Sequence, residues 1–209
     1  MKVLIVSGGN VDIQILAKAY DKIIAVDKGL ESIYNKNVHP DYIVGDFDSV
    51  NKNIIDFYKK QGIEIQKYNP EKDYTDTELG IECALTLKPD AIRIIGGIGT
   101  RIDHTLANIH ILTKCLEKNI KCDIVDSHNR IYLIDKFAKI DRNKVYGKFI
   151  SIIPLTSEVT GITLRGFKYP LTNYNLSFGK SLGISNELVQ ETASITINKG
   201  VLIVVESKD

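Results

Sequence analysis

Apolar positions along the chain follow two rhythms. In the first part, short unbroken apolar runs alternate with stretches of helical spacing. The runs lie at 3–6, 23–26, 42–44, 63–65, 92–95 and 124–125. A strand buried on both faces reads as such a run, whereas a half-exposed strand alternates. Helical spacing predicts helices over 11–20, 30–34, 54–60 and 77–86, and one long amphipathic helix over 104–118. Strands alternating with helices predict a parallel sheet covered on both faces. After about Asp126 the helical signal fades. Short strand patterns follow at 131–134, 149–153, 158–164, 194–198 and 201–205. Asn198-Lys199-Gly200, between the last two, predicts a tight hairpin turn. The expected fold is therefore α/β: a parallel-sheet domain over 1–126, then an antiparallel β-sandwich or barrel over 127–209.

Composition changes this picture little. The chain has 209 residues, 44% of them hydrophobic, enough to fill a core in each domain. Lys plus Arg number 27 against 26 Asp plus Glu. That balance gives no overall field to attract nucleic acid or a membrane surface. No apolar run is long enough for a signal-peptide core or a membrane span, so a cytoplasmic protein is expected. Cys83, Cys115 and Cys122 form no CxxC pair and read as buried thiols of a reducing compartment.

The aspartates carry the chemistry. Asp27 closes the second strand, and Asp46 and Asp48 follow the third. Asp73 and Asp76 precede a helix, and Asp103 lies between Gly96-Gly97-Ile98-Gly99 and the long helix. A parallel sheet brings all its strand-to-helix loops to one edge, where ligands bind. Carboxylates gathered there repel one another unless a cation joins them. Carboxylate and phosphate oxygens are the hard ligands Mg²⁺ prefers, and glycine turns let backbone N–H groups approach phosphates. This points to Mg²⁺-assisted chemistry on a phosphate-containing substrate. Simpler roles compete: Thr75 and Glu78 have capping-box spacing, Asp103 fits a helix cap, and Asp41 after Pro40 fits a turn.

In order along the chain, several segments resemble thiamine pyrophosphokinases. They are Asp27-Lys28-Gly29, Pro40-Asp41, Gly45-Asp46-Phe47-Asp48-Ser49, Lys72-Asp73-Tyr74-Thr75-Asp76 and the run from Gly96 to His104 with Asn108. Gly166-Phe167-Lys168-Tyr169-Pro170-Leu171 and Gly183-Ile184-Ser185-Asn186-Glu187 continue the match. The resemblance implies transfer of a pyrophosphoryl group from ATP to the hydroxyl of thiamine, leaving AMP. It implies a parallel-sheet nucleotide-binding domain followed by an antiparallel β-sandwich that binds thiamine, in a homodimer with active sites between subunits. It places Mg²⁺ near Asp46, Asp48, Asp73, Asp76 and Asp103, and gives these residues and Arg101 the catalytic roles. It places ATP against Asp27, Gly29, Thr77, Gly97, His104 and Asn108, and thiamine partly against Ser185 and Asn186 of the partner subunit. Family members often carry Trp near 168–169, and this chain has no Trp. Tyr169 and Phe178 are the aromatic candidates, set against a reading of both as sandwich core.

The thiamine hydroxyl would then attack the β-phosphorus in line, with Asp73 or Asp76 orienting or deprotonating it. Two rivals stand beside this. One is a phosphohydrolase with Asp46 as nucleophile and Asp48 as acid/base. The other is a nucleotide or thiamine sensor without turnover.

Overall fold

A computed structural model describes residues 1–48, 50–67 and 74–209, the side chains of Ile13 and Lys67 excepted. Asp73, with Lys72 and Ser49 of the sequence motifs, lies outside the described residues. The chain divides into two compact units, Met1–Ser127 and His128–Asp209.

The first unit runs β1 (Lys2–Val6), α1 (Ile13–Leu16), β2 (Lys22–Val26), α2 (Gly29–Tyr34), β3 (Tyr42–Gly45), α3 (Lys52–Lys60), β4 (Glu64–Lys67), α4 (Asp76–Thr86), β5 (Ala91–Ile95), α5 (Ile102–Ile111), α6 (Thr113–Glu117) and β6 (Lys121–Val125). The strands pair in parallel in the order β4-β3-β2-β1-β5-β6. Val3, Leu4, Ile5 and Val6 of the central strand are fully buried, which is why that run shows no alternation. β1 is the point where the chain order reverses, with β2 on one side and β5 on the other. Its loop and that of β5 therefore flank the crevice in which such sheets bind ligands.

Two helices differ from expectation. The predicted long helix is two, α5 and α6, with a break at Leu112. Leu112 N–H bonds the Ile109 carbonyl in a tightened turn, and the Thr113 hydroxyl donates to the His110 carbonyl at 2.8 Å. Hydroxyls that bond back along the chain compete with the helical ladder in this way. The predicted 11–20 helix is reduced to α1. Asp21 N–H already bonds the Lys2 carbonyl at 2.9 Å, so only a turn separates α1 from the sheet.

The second unit is an antiparallel sandwich. Its strands are β7 (Asn129–Ile134), β8 (Phe137–Asp141), β9 (Phe149–Pro154), β10 (Glu158–Arg165), β11 (Leu171–Ser177), β12 (Thr192–Thr196) and β13 (Leu202–Ser207). One layer is β7-β13-β9 and the other β11-β10-β12-β8. Ile150, Ile152, Ile162, Leu164, Phe167, Leu176, Ile195 and Val204 share one core. β13 alternates buried and half-buried positions, as a strand with one core face must. The Asn198-Lys199-Gly200 segment is not the predicted hairpin. β12 pairs with β10 and β8, whereas β13 pairs with β7 and β9. The segment carries the chain from one layer to the other, pinned where Thr160 N–H donates to the Lys199 carbonyl at 2.9 Å.

Candidate active site

The acidic rim begins where β2 and β3 end in step. Val26 pairs with Val44, and Asp27 N–H then donates to the Val44 carbonyl at 3.0 Å. Asp27 has a left-handed backbone, φ 43°, and so does Phe47, φ 63°. Both are uncommon for residues with a Cβ, and such backbones gather at functional sites. Asp48 N–H donates to Asp46 Oδ1 at 3.0 Å, which folds the short loop on itself. As a result, carboxylate oxygens of Asp27, Asp46 and Asp48 lie within 4.8 Å of one another. At an effective dielectric of about 20, each ionised pair at that spacing repels by roughly 3 kcal/mol, less at exposed Asp48.

Asp76 opens α4 and faces the same charges. Thr75 caps the helix by accepting from Glu78 N–H at 3.3 Å, the Thr75 half of the capping box, while a Glu78 carboxylate oxygen lies 2.9 Å from Lys114 Nζ. Asp76 is half-buried, and its carboxyl is pushed up to about 6. Burial is the main cause, followed by the charges of Asp27, Asp46 and Asp48. Next to Asp76, buried Thr77 shares a hydroxyl hydrogen bond of 3.0 Å with Ser7. That bond ties α4 to the loop after β1.

The glycine loops meet at the switch point. Gly29 presses on the end of β1: a Cβ there would lie 2.0 Å from the Val6 carbonyl oxygen. Gly96 has φ +70°, and a Cβ on it would lie 2.3 Å from the Ser7 carbonyl oxygen. Only glycine permits this backbone and this approach together. Gly97 is held from behind, because buried Asn108 donates from its amide to the Gly97 carbonyl at 2.8 Å. Arg101 and Asp103 form a two-pronged ion pair, 3.2 and 2.5 Å, at the exposed start of α5. The Arg101 guanidinium holds the Asp103 carboxyl down at about 2. His104 is exposed beside them. Asp41 has a local role: it accepts from Ile23 N–H and from Lys22 Nζ, each at 2.8 Å, and so joins β2 to the start of β3.

In the second unit, Ser185 has φ 58° and is exposed. Buried Asn186 uses its amide internally, accepting from Tyr169 N–H at 3.0 Å and donating to the Tyr169 carbonyl at 2.8 Å. It thereby fastens the Tyr169 segment to the Ser185 loop. Tyr169 is 59% exposed and Phe178 73%, so neither is the core residue one reading made it. The aromatic of that stretch that does enter the core is Phe167.

Residues 13–124 match the family model described as "Thiamin pyrophosphokinase, catalytic domain", and residues 138–202 match "Thiamin pyrophosphokinase, vitamin B1 binding domain". The chain belongs to the thiamin pyrophosphokinase family. It is 38% identical over 189 residues to the thiamine pyrophosphokinase of Bacillus subtilis, covering 89% of this chain and 87% of that one. The crystal structure of thiamine pyrophosphokinase from Bacillus subtilis superposes over all of both chains, with a TM-score of 0.91 and 33% identity. That of the thiamin pyrophosphokinase from Geobacillus thermodenitrificans gives 0.89 at 29% identity, over 100% of this chain and 98% of that one.

Within this family's frame, the structure sorts the acids that the sequence placed on one rim. Asp27, Asp46 and Asp48 stand together, with Asp76 under their influence. Asp103 stands with Arg101 instead. The strand pattern places Asp27 on the rim with the other acids, while the resemblance assigns it to the nucleotide and not to the metal. Its place among the carboxylates depends on the β2–β3 register, which a single sequence does not display. All-oxygen donors at mutual distances under 4.8 Å, already in repulsion, suit a hard divalent cation.

Proposed function

We propose that the chain transfers the pyrophosphoryl group of ATP to the hydroxyl of thiamine, giving thiamine diphosphate and AMP. The observation that carries this for the site is the convergence of Asp27, Asp46 and Asp48 beside a half-buried Asp76, at the glycine-lined edge of a parallel sheet. Family membership supplies the substrates.

In this reading Asp27, Asp46, Asp48 and Asp76 hold Mg²⁺, with Asp73 as a further ligand from the sequence and Asp103 assigned to the same cluster by the resemblance. The ion would neutralise phosphate charge during transfer. The residues around it bind and orient. Gly29 and Gly97 let their loops pack closely on the sheet, where their backbone would meet the ATP phosphates, and Thr77 and Asn108 fix the loops that shape this cradle. Arg101 stands exposed with donors to turn toward phosphate oxygens, and His104 lies one turn away for the nucleotide. Asp76, at the start of α4 beside the other acids, would orient the thiamine hydroxyl or take its proton. The first unit is the ATP-binding catalytic domain and the second binds thiamine, near Ser185 and Asn186 of a partner subunit.

The same reading makes the protein a cytoplasmic homodimer. Tyr169, Phe178, Leu182, Ile184 and Val189 of the second unit are each exposed, large apolar side chains of the kind another copy would bury. Free cysteines suit a reducing compartment. Among the described residues, no helix is long and apolar enough to cross a membrane.

The test is to incubate the protein with ATP, Mg²⁺ and thiamine and identify products by mass. Thiamine diphosphate with AMP is expected. Thiamine monophosphate with ADP, or no consumption of ATP, would overturn the reading.

A further inference from the structure

The start of α4 is under electrostatic load. Asp76 occupies its first turn, and Asp27, Asp46 and Asp48 all act on it with the same sign. Nothing in that repulsion keeps Asp76 in place; the backbone around it must be held from elsewhere. The Thr75 cap is long at 3.3 Å, and the Ser7–Thr77 hydroxyl pair is neutral. A stronger anchor comes from α6. Lys114 Nζ lies 2.9 Å from Glu78 and 2.6 Å from Glu82, one turn apart on α4, and 5.3 Å from the centre of the Tyr74 ring. Tyr74 and Glu78 bracket Asp76 along the chain, each two residues away. One ammonium therefore grips the helix start on both sides of the acid. The two carboxylates keep Lys114 above the ordinary lysine range, so the anchor stays charged at any working pH.

We propose that Lys114 is a positioning residue for the reaction: by holding Tyr74, Glu78 and Glu82, it fixes the first turn of α4 and so sets Asp76 against Asp27, Asp46 and Asp48. This rests on the reading of those acids as the metal and phosphate site. Lys114 itself touches none of them. Its loss leaves the first turn of α4 to the long Thr75 cap and the Ser7–Thr77 hydroxyl pair, and small displacements at a reacting centre are costly in rate. Tyr74, Glu78 and Glu82 all lie in the first unit.

The experiment compares Lys114→Met and Lys114→Arg with the wild type. Met keeps the aliphatic stem and removes the charge; Arg keeps the charge. Three readouts are taken: kcat and KM for thiamine, thermal midpoint, and Mn²⁺ affinity by electron paramagnetic resonance with an α,β-methylene ATP analogue present. In Lys114→Met, kcat should fall about tenfold or more and Mn²⁺ binding weaken about fivefold, with KM for thiamine within about twofold. Lys114→Arg should recover most of both. Removing the cation also leaves Glu78 and Glu82 facing each other, which destabilises a helix. The variant Lys114→Met/Glu82→Gln relieves that pair, and it should fold as the wild type does yet keep the defects in kcat and Mn²⁺ binding. Wild-type kcat and Mn²⁺ affinity in either Met variant would overturn the proposal. So would equal losses in Met and Arg, or losses in Lys114→Met that vanish in the double variant. Failure of the wild type itself to form thiamine diphosphate would instead sink the functional reading on which this stands.

Discussion

Replacing Asp76 with Asn removes a negative charge from the acidic cluster while keeping the shape of the side chain. In the folded protein this carboxyl sits at about 6 rather than 3.8, because burial and three neighbouring carboxylates disfavour its charge. A carboxyl raised on folding holds its proton more tightly in the native state. Its favourable contribution is present below about pH 4 and is lost as pH rises through about 6. A shift of that size corresponds to roughly 3 kcal/mol at about 1.36 kcal/mol per pH unit. Asp76 is only half-buried, and screening by water reduces this to about 1–2 kcal/mol.

Asp76→Asn should therefore stabilise the metal-free protein by about 1–2 kcal/mol near pH 8 and change it little near pH 4. Urea unfolding in EDTA, followed by circular dichroism across this range, measures the difference directly. Thiamine diphosphate formation should fall by about three orders of magnitude in the same variant. Mg²⁺ should narrow the gap near pH 8, because the wild type gains more from the cation. If Asp76→Asn is no more stable than the wild type near pH 8, the reasoning fails. A gap that persists unchanged near pH 4 would also refute it.

Gly29→Ala should lower stability by about 3 kcal/mol, because the new Cβ meets the Val6 carbonyl oxygen at 2.0 Å and α2 must move off the sheet; urea midpoints test this. Asn108→Ala leaves the Gly97 carbonyl without its amide donor and should cost about 1–3 kcal/mol, with a raised KM for ATP read in the coupled assay. Arg101→Ala should leave the thermal midpoint unchanged, since the pair is exposed, while the Asp103 carboxyl climbs from about 2 toward its ordinary value in a carbon-detected NMR titration and turnover falls.

The parallel half of the fold was legible because its strands are buried on both faces. Val3–Val6 shows one unbroken apolar signal, and such signals survive without any knowledge of partners. The antiparallel half was less so. β11 reads Leu-Thr-Asn-Tyr-Asn-Leu-Ser and buries only Leu176, since it is an edge strand with one dry contact. β8 lies at the other edge of that layer, and its one fully buried residue is Ile140. Neither carries enough apolar contrast to stand out. The hairpin reading of Asn198-Lys199-Gly200 failed for a related reason. Turn chemistry says where a chain bends, whereas the layer a strand joins is set by distant partners such as Ile134 for Leu202.

The acids show where legibility stops at the site itself. Parallel topology predicts that the strand-end aspartates share one rim, but not which of them share space. That depends on register and on short loop geometry: Val26 level with Val44, then the fold of Asp46 onto the Asp48 amide. The outcome divides the rim by electrostatic state. Asp103 already has its charge balanced by Arg101, and its carboxyl is depressed accordingly. Asp27, Asp46 and Asp48 crowd like charges together, and their effect is visible in the raised Asp76. A divalent cation gains most where carboxylate oxygens converge, so the metal reading rests on this second group. Arg101 and Asp103 form a unit of their own, and on the proposed reading Asp103 holds the guanidinium until a phosphate competes for it.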